Sequence, residues 1–498
     1  MSVRDSSRIF LGNISGRLSD EAAIRATEVA CLSRRSLLKA VAAIGLYNLS
    51  LPAIAAACGK TSEGAAVESG KGSLQQRISD AFVYTFPLHD VARTRWVATQ
   101  SKDQREGALN QLRHRRKLAD DQARRVTTPN NDTLYSTAWL ELSGGPVELS
   151  IPAMGDRYYS LAFLDAFTNN FACLGQRVNG PGPNLYVIAG PAHHASARQS
   201  LPAGAILVAA PTNDTWMIGR LLVDGQDDLP RVNALQDRMS LKTSGAAPRG
   251  YVTTPDESSP AAYLALVNEA LSRNGVPAGE QSMVNAFADI GIKAGELNAW
   301  ETLPAGVREE WARQLPGLRN ALLRQCDGSL IRIGPNGTWR TGLDHIGNFG
   351  EDYAYRARVA LGGLGALQRT EAIYMSSQSD SSGVEFDGTN SYRLHIPAGV
   401  PVDAFWSLSM YEVEKDGRKF FTPNPIHRFS IGDRTRGLAR NADGSIDIQM
   451  QRRQPDGGTA NWLPAPDGRF MLTLRFYRPR AALLARRFEI PDVVRVST

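Results

Sequence analysis

The chain has 498 residues, 42% of them hydrophobic, with 56 Lys and Arg against 50 Asp and Glu and a formal net charge of +6. These figures describe ordinary globular material with length for two cores. Setting aside residues 1–57 removes seven basic and four acidic residues and leaves 49 against 46, a near-balance that gives no electrostatic case for a nucleic-acid binder.

Ser33, Arg34, Arg35, Ser36, Leu37, Leu38 and Lys39 stand directly before an uncharged, Ala-rich run at 40–57. Two adjacent arginines ahead of a moderately apolar stretch form the twin-arginine export pattern, an address read by a receptor that takes no part in the fold. The run holds Gly45, Asn48 and Pro52 and falls short of the roughly 20 apolar residues a spanning helix needs, so no transmembrane helix is expected. It ends in Ala55, Ala56, Ala57 and Cys58. Either cleavage follows Ala57 and frees a soluble protein, or Cys58 becomes a lipidated N-terminal residue, with Ala55 standing where lipoprotein signals usually carry Leu. The expected layout is a signal peptide at 1–57, a flexible Gly/Ser/Glu-rich linker at 58–73 and a periplasmic protein that folds before it crosses the membrane.

Residues 74–240 read as a β-rich first domain with N-terminal helices. The helical pattern of Ile78, Ala81, Phe82 and Tyr84 leads to a break at Pro87 and then to a polar helix carrying Arg113, His114, Arg115, Arg116 and Lys117, a basic run expected as a solvated face. Apolar runs at 134–142, 147–151 and 158–164, separated by Gly and Pro turns, read as a β-meander, with further strands at 185–188 and 205–210. Residues 241–370 read as a helical bridge, in which Gly362, Gly363 and Gly365 lack the preceding strand of a dinucleotide loop and indicate helix packing. Residues 371–498, with apolar runs at 392–396, 405–413, 446–450 and 470–477, read as an antiparallel β-sandwich. The fold class expected is α+β, two β-rich, sandwich or jelly-roll-like domains joined by a helical segment. Cys173 and Cys326 either pair in an oxidising compartment or stay as two buried thiols.

No nucleophile elbow, P-loop, zinc helix or Cys-Xaa-Xaa-Cys pair is present, and Ser36 with Lys39 mimics a Ser-Xaa-Xaa-Lys motif inside the leader. With seven histidines, of which His193 and His194 adjoin on a loop, a multi-histidine metal site is not supported, and no metal ligand is assigned. The richest cluster is Thr128, Pro129, Asn130, Asn131, Asp132, Thr133, Leu134 and Tyr135, at the mouth of the first strand. Its polar residues either close Asx-turns or point into a cleft, where amides orient a ligand and the carboxylate serves as acid, base or cation ligand. A second cluster, Asp165, Thr168, Asn169, Asn170 and Arg177, follows the strand at 158–164, and strand pairing is expected to bring it to the same rim. Trp216, Gly219, Arg220, Asp224, Gly225 and Asp227 form a third, with Arg220 suited to a carboxylate or phosphate. Glu351 and Asp352 sit where a helix is capped, and Phe405, Trp406, Ser407 and Tyr411 make an aromatic stripe expected in the core.

Together these motifs resemble a family of exported bacterial proteins in which the domains of unknown function twelve-fifty-four and twelve-fourteen occur together. Thr128 to Tyr135, the strand with Asp165 and Arg177, and Trp216 to Asp224 resemble the first; Asp380 to Gly388, Phe405 to Tyr411 and Asn461 to Pro464 resemble the second. The resemblance implies the two-domain architecture and carries no established reaction. From the residues, the expectation is a periplasmic hydrolase for a small polar or amphipathic molecule, with Asp132 and Asp165 as acid and base. Asn130, Asn131, Tyr135, Asn169, Asn170, Arg177 and Arg220 are the expected binding residues. The rival is a non-catalytic ligand-binding or envelope-structural protein, and a bound ion or cofactor stays open.

Overall fold

A computed structural model describes residues 72–325 and 330–496, so the leader, Cys58 and Cys326 lie outside the described residues. The first domain is two packed sheets. One has the order β1 (Arg113–His114), β2 (Thr133–Glu141), β8 (Asp214–Leu222), β4 (Tyr159–Leu164), β5 (Asn170–Gly175). The other runs β7 (Ile206–Ala209), β6 (Asn184–Ala189), β3 (Val147–Ile151), β9 (Ser240–Thr243). Leu134, Leu140, Leu161 and Met217 of the first sheet meet Leu149 and Ile188 of the second in a common core.

The expected meander is therefore replaced by a sandwich. β2 and β4 join one sheet while β3 crosses to the other, and the crossing is made at Gly144 and Gly145, where a Cβ on Gly145 would lie 2.2 Å from the Ser244 carbonyl. β2 is buried along its whole length because both its faces are covered, whereas β3 alternates buried and half-buried residues at an outer layer.

A helical layer covers the free face of the five-stranded sheet: α1 (Leu74–Thr99), α2 (Pro260–Asn274), α3 (Ala305–Arg324) and α4 (Tyr353–Gly363). Pro87 does not break α1. Nearly every residue from Ile78 to Arg95 is buried or half-buried, and this packing carries the helix through a residue that local propensity would use as a stop. The polar helix expected after it is irregular chain, and the basic run enters β1 at the sheet edge. Asp352 caps α4 by accepting the Tyr355 N–H at 2.9 Å.

The second domain is a further sandwich. Its seven-stranded sheet has the order β10 (Leu330–Ile333), β11 (Trp339–Gly342), β12 (Ala372–Ser377), β19 (Phe470–Pro479), β14 (Val402–Val413), β15 (Lys419–Phe420), with β16 (Ser430–Gly432) also on β14. A four-stranded sheet of β18 (Trp462–Pro464), β17 (Ile446–Gln451), β13 (Ser391–Ile396) and β20 (Val494–Val496) closes it over Leu394, Trp406, Leu408, Ile448 and Leu474. β10 and β11 come from the stretch expected as helical bridge, so the second domain begins before residue 371. The other face of the large sheet carries Phe405, Ser407, Ser409, Tyr411, Arg475 and Tyr477 and turns toward the first domain. The molecule is thus α+β, with several sheets in separate domains and helices between them.

Candidate functional site

The segment Thr128 to Asp132 runs between the two domains. Thr128, at φ 52°, takes a left-handed conformation and gives its N–H to the Lys419 carbonyl at 2.7 Å. Tyr411 OH donates to the Pro129 carbonyl at 2.7 Å, and Arg475 holds Tyr411 OH and Ser409 Oγ, each at 2.7 Å. Asn130 closes the Asx-turn open to it from sequence and also bonds across the domain boundary. Its Oδ1 accepts the Asp132 N–H at 2.7 Å, an Asx-turn, while its Nδ2 reaches across the domain boundary to Tyr477 OH at 2.7 Å. These bonds fix the backbone so that the Asp132 side chain leaves the turn toward β14. There Ser407 Oγ donates to Asp132 Oδ2 at 2.6 Å, short as a charge-assisted bond should be.

Asp132 and Asn131 form one wall of a cleft of about 400 Å³ whose other wall carries Phe405, Ser407, Arg428 and Arg434. Arg434 lies 4.7 Å from the centroid of the Phe405 ring and binds Asp224 at 2.9 Å, so it is held at the mouth. Asp433 adjoins it and takes the Trp406 N–H at 3.2 Å. Burial pushes the Asp433 carboxyl up to about 6, and the negative charge of Asp132 pushes the same way against the Trp406 N–H and Arg434. The cleft therefore holds a seryl hydroxyl bonded to a carboxylate, and Asp433, next in sequence to the lining residues Gly432 and Arg434 but not itself among them, is a second carboxyl raised to about 6. Two electrostatically coupled carboxyl groups are what general acid–base chemistry draws on.

The structure does not bring Asp165 to this site. β2 and β4 both pair antiparallel with β8 and so run parallel to each other; Asp132 precedes the first and Asp165 follows the second. The residues next to them, Thr133 and Leu164, pair with Leu222 and Trp216 of β8, six residues apart, roughly 20 Å at about 3.3 Å per residue. The pairing of Asp132 with Asp165 as acid and base is thus corrected by strand direction. Asp165 instead closes its own loop, accepting the N–H groups of Phe167 and Asn169 at 2.9 and 2.8 Å and the Asn169 amide at 3.1 Å. Asn169 and Asn170 share that far end, where Asn170 N–H binds the Gly347 carbonyl at 2.6 Å.

Tyr135 and Arg220 face each other on β2 and β8, with the guanidinium 5.3 Å from the ring centroid and both side chains buried. Arg220 also reaches the Gly365 carbonyl at 3.4 Å, and burial keeps it away from the open cleft. Arg177 binds the buried Glu371 carboxylate at 2.7 Å, which also accepts Tyr158 OH at 2.8 Å, so it ties the first domain to the start of β12. Sequence reading missed Asp433 and Arg434, which lie in a loop without patterning, and placed Ser407 in the core. Arg475 carried a signal, a charge inside an apolar strand run. Among the described residues no three His, Cys, Asp or Glu side chains gather as a metal site, and no helix is long and apolar enough to cross a membrane.

Residues 109–243 match the family model described as "Protein of unknown function (DUF1254)" and residues 371–481 that described as "Protein of unknown function (DUF1214)". No curated protein matches the chain. The crystal structure of the VPA0106 protein from Vibrio parahaemolyticus is similar over 85% of this chain and 100% of that one, at 22% identity and a TM-score of 0.66, which shows a shared fold. An uncharacterized protein from Burkholderia cenocepacia aligns over 84% of this chain and 88% of its own at 11% identity, with a TM-score of 0.39 too low to bear on the fold. In order along the chain, the two family matches coincide with the paired domains that the sequence motifs resemble.

Proposed function

We propose that the protein is a hydrolase that takes a small polar molecule into the inter-domain cleft, with Asp132 and Asp433 as its carboxyl pair and Ser407 held between the domains by Asp132. The observation that carries this reading is the 2.6 Å bond from Ser407 Oγ to Asp132 beside a carboxyl raised to about 6. Hydrolysis of a glycoside or ester needs one group to take a proton from the attacking water and another to give one to the leaving oxygen. Asp132 suits the first role and Asp433 the second. A panel of small glycosides and esters tests it: Asp132→Asn and Asp433→Asn should each lower kcat/KM by at least about a hundredfold, with the melting temperature changed by a few degrees at most. Full turnover by folded Asp132→Asn would sink the assignment.

Arg434 and Arg428 on the cleft wall favour a second reading, capture of an anionic ligand without turnover. Saturable thermal stabilisation by a compound that is recovered unchanged would select it. We also propose export by the twin-arginine route to the periplasm, with either cleavage after Ala57 or lipidation of Cys58. Replacing both Arg34 and Arg35 by Lys should leave the protein in the cytoplasmic fraction. Labelled fatty acid should enter the wild type and not Cys58→Ser if the anchored form exists.

A further inference from the structure

The basic run of the sequence does not end as a solvated helix face. After β1 the chain carries Arg115 and Lys117 into the lining of a pocket of about 50 Å³, whose other sides include Arg125, Asn130, Thr133 and Tyr135 beside the apolar Ala123, Val126 and Pro129. Thr133 and Tyr135 are two apart on β2 and share a face. Thr133 is 2% exposed, and its Oγ1 has no hydrogen-bond partner among the described residues. A hydroxyl buried that deeply is normally bonded. The Asn130 amide, which lines the same pocket, is instead bonded to Tyr477 OH and to the Asp132 N–H. Arg220, outside the lining, lies 5.3 Å from the centroid of the Tyr135 ring, while Glu106, also outside it, binds Arg125 at 2.5 Å and Arg113 at 3.6 Å.

We propose that this pocket binds a small oxyanion, a sulfate, phosphate or carboxylate group, with Arg115 and Lys117 supplying charge and Thr133 Oγ1 a hydrogen bond. The volume holds a few water molecules, so it suits a free ion or the charged end of a ligand rather than a whole substrate. A hydroxyl donor beside cationic side chains is the chemistry that recognises such groups. The pocket is separate from the cleft. Asn130 and Thr133 line the pocket, whereas Asn131 and Asp132 line the cleft, so the two sites draw on different residues of one short turn.

The test is calorimetric and thermal-shift titration of the full-length protein with sulfate, inorganic phosphate, acetate and phenyl phosphate, chloride balancing ionic strength throughout. Saturable binding of at least one oxyanion, absent with chloride, is expected. Lys117→Ala, at an exposed position, and the near-isosteric Thr133→Val should each weaken it at least about fivefold, and Ser407→Ala in the cleft should leave it unchanged. Saturation by phenyl phosphate as well as phosphate supports the seat of a ligand's charged end, and saturation by phosphate alone supports a free-ion site. Binding that persists undiminished in the folded Lys117→Ala, Thr133→Val double variant, that follows Ser407→Ala, or that chloride matches would overturn the proposal.

Discussion

Burial raises the Asp165 carboxyl to about 6, against the bonds it accepts from Asn169 and Phe167 and the nearby charge of Arg356. The unfolded carboxyl titrates near 3.9, so the folded state holds this proton longer. Asp165 therefore contributes stability that is complete below about pH 4 and is lost as pH rises through about 6, an effect of up to about 3 kcal/mol. His89 acts with the opposite sign. Burial first, and then the charge of Arg93, lower it to about 3, so its contribution is present above about pH 6.5 and is lost as the solution is acidified. The two partly cancel in the wild type, and a difference measurement separates them. Asp165→Asn keeps an oxygen for a loop N–H and removes the titration. Urea unfolding at pH 4, 5, 6 and 7 should show wild type losing stability relative to the variant, by up to about 3 kcal/mol across the series; a constant difference would contradict the raised carboxyl. The loop-closing role of Asp165 follows local rules and is legible in sequence. Its distance from Asp132 is not, because that depends on which strand lies between them.

At the scale of elements, the end of β8 is where two helices are fastened to the sheet. Asp214, 1% exposed, accepts Tyr251 OH at 2.7 Å and Asn274 Nδ2 at 3.1 Å, and it pairs with Arg95 of α1 at 3.3 Å and Arg273 of α2 at 3.2 Å. Burial alone would raise its pKa, but the two guanidinium groups outweigh this and lower it. Asp214→Ala would leave two cations without their shared carboxylate, and the expected loss is about 3–5 kcal/mol by urea unfolding at pH 7. Just past α4, Gly365 sits at φ +85°, and a Cβ there would stand 2.9 Å from Ile218 Cδ1 on β8. Gly365→Ala should destabilise by at least about 1–2 kcal/mol through the backbone alone, and a neutral result would show that the end of α4 can move off the sheet. Most strands were legible to within a few residues, since short apolar runs end at Gly, Pro or Asp. Their partners were not, because pairing is set by which faces the rest of the molecule covers. The same limit hid Asp132–Ser407, a contact across 275 positions, and the continuity of α1 through Pro87, which tertiary packing sustains.

Across the whole molecule, the domains share more than a polar boundary. One apolar core contains Ile78 and Phe82 of α1, Trp139 and Trp216 of the first domain, Leu264 of α2, Ala360 of α4, and Phe405 and Tyr477 of the second domain. Phe405 and Tyr477 stack at 4.2 Å, and Tyr158 packs edge-on against Phe405 at 5.7 Å from across the boundary. Polar bonds from Asn130 to Tyr477 and from Tyr158 and Arg177 to Glu371 then fix the relative position of the domains. Multi-domain chains commonly depart from two-state unfolding, but neither β domain here can expose this face without opening the other's core. One cooperative transition is therefore expected, with coincident far-UV and near-UV circular dichroism curves and a single calorimetric endotherm. Glu371→Ala removes the buried acceptor of both Tyr158 and Arg177 and should cost about 3–5 kcal/mol, lowering the midpoint while the transition stays single. Tyr477→Phe keeps the stacked ring and removes only the hydroxyl that accepts from Asn130, so its loss should be about 1–3 kcal/mol. Two resolved endotherms in the wild type would mean that the shared core does not couple the domains, and the inter-domain cleft would then lose the fixed geometry on which its carboxyl pair depends.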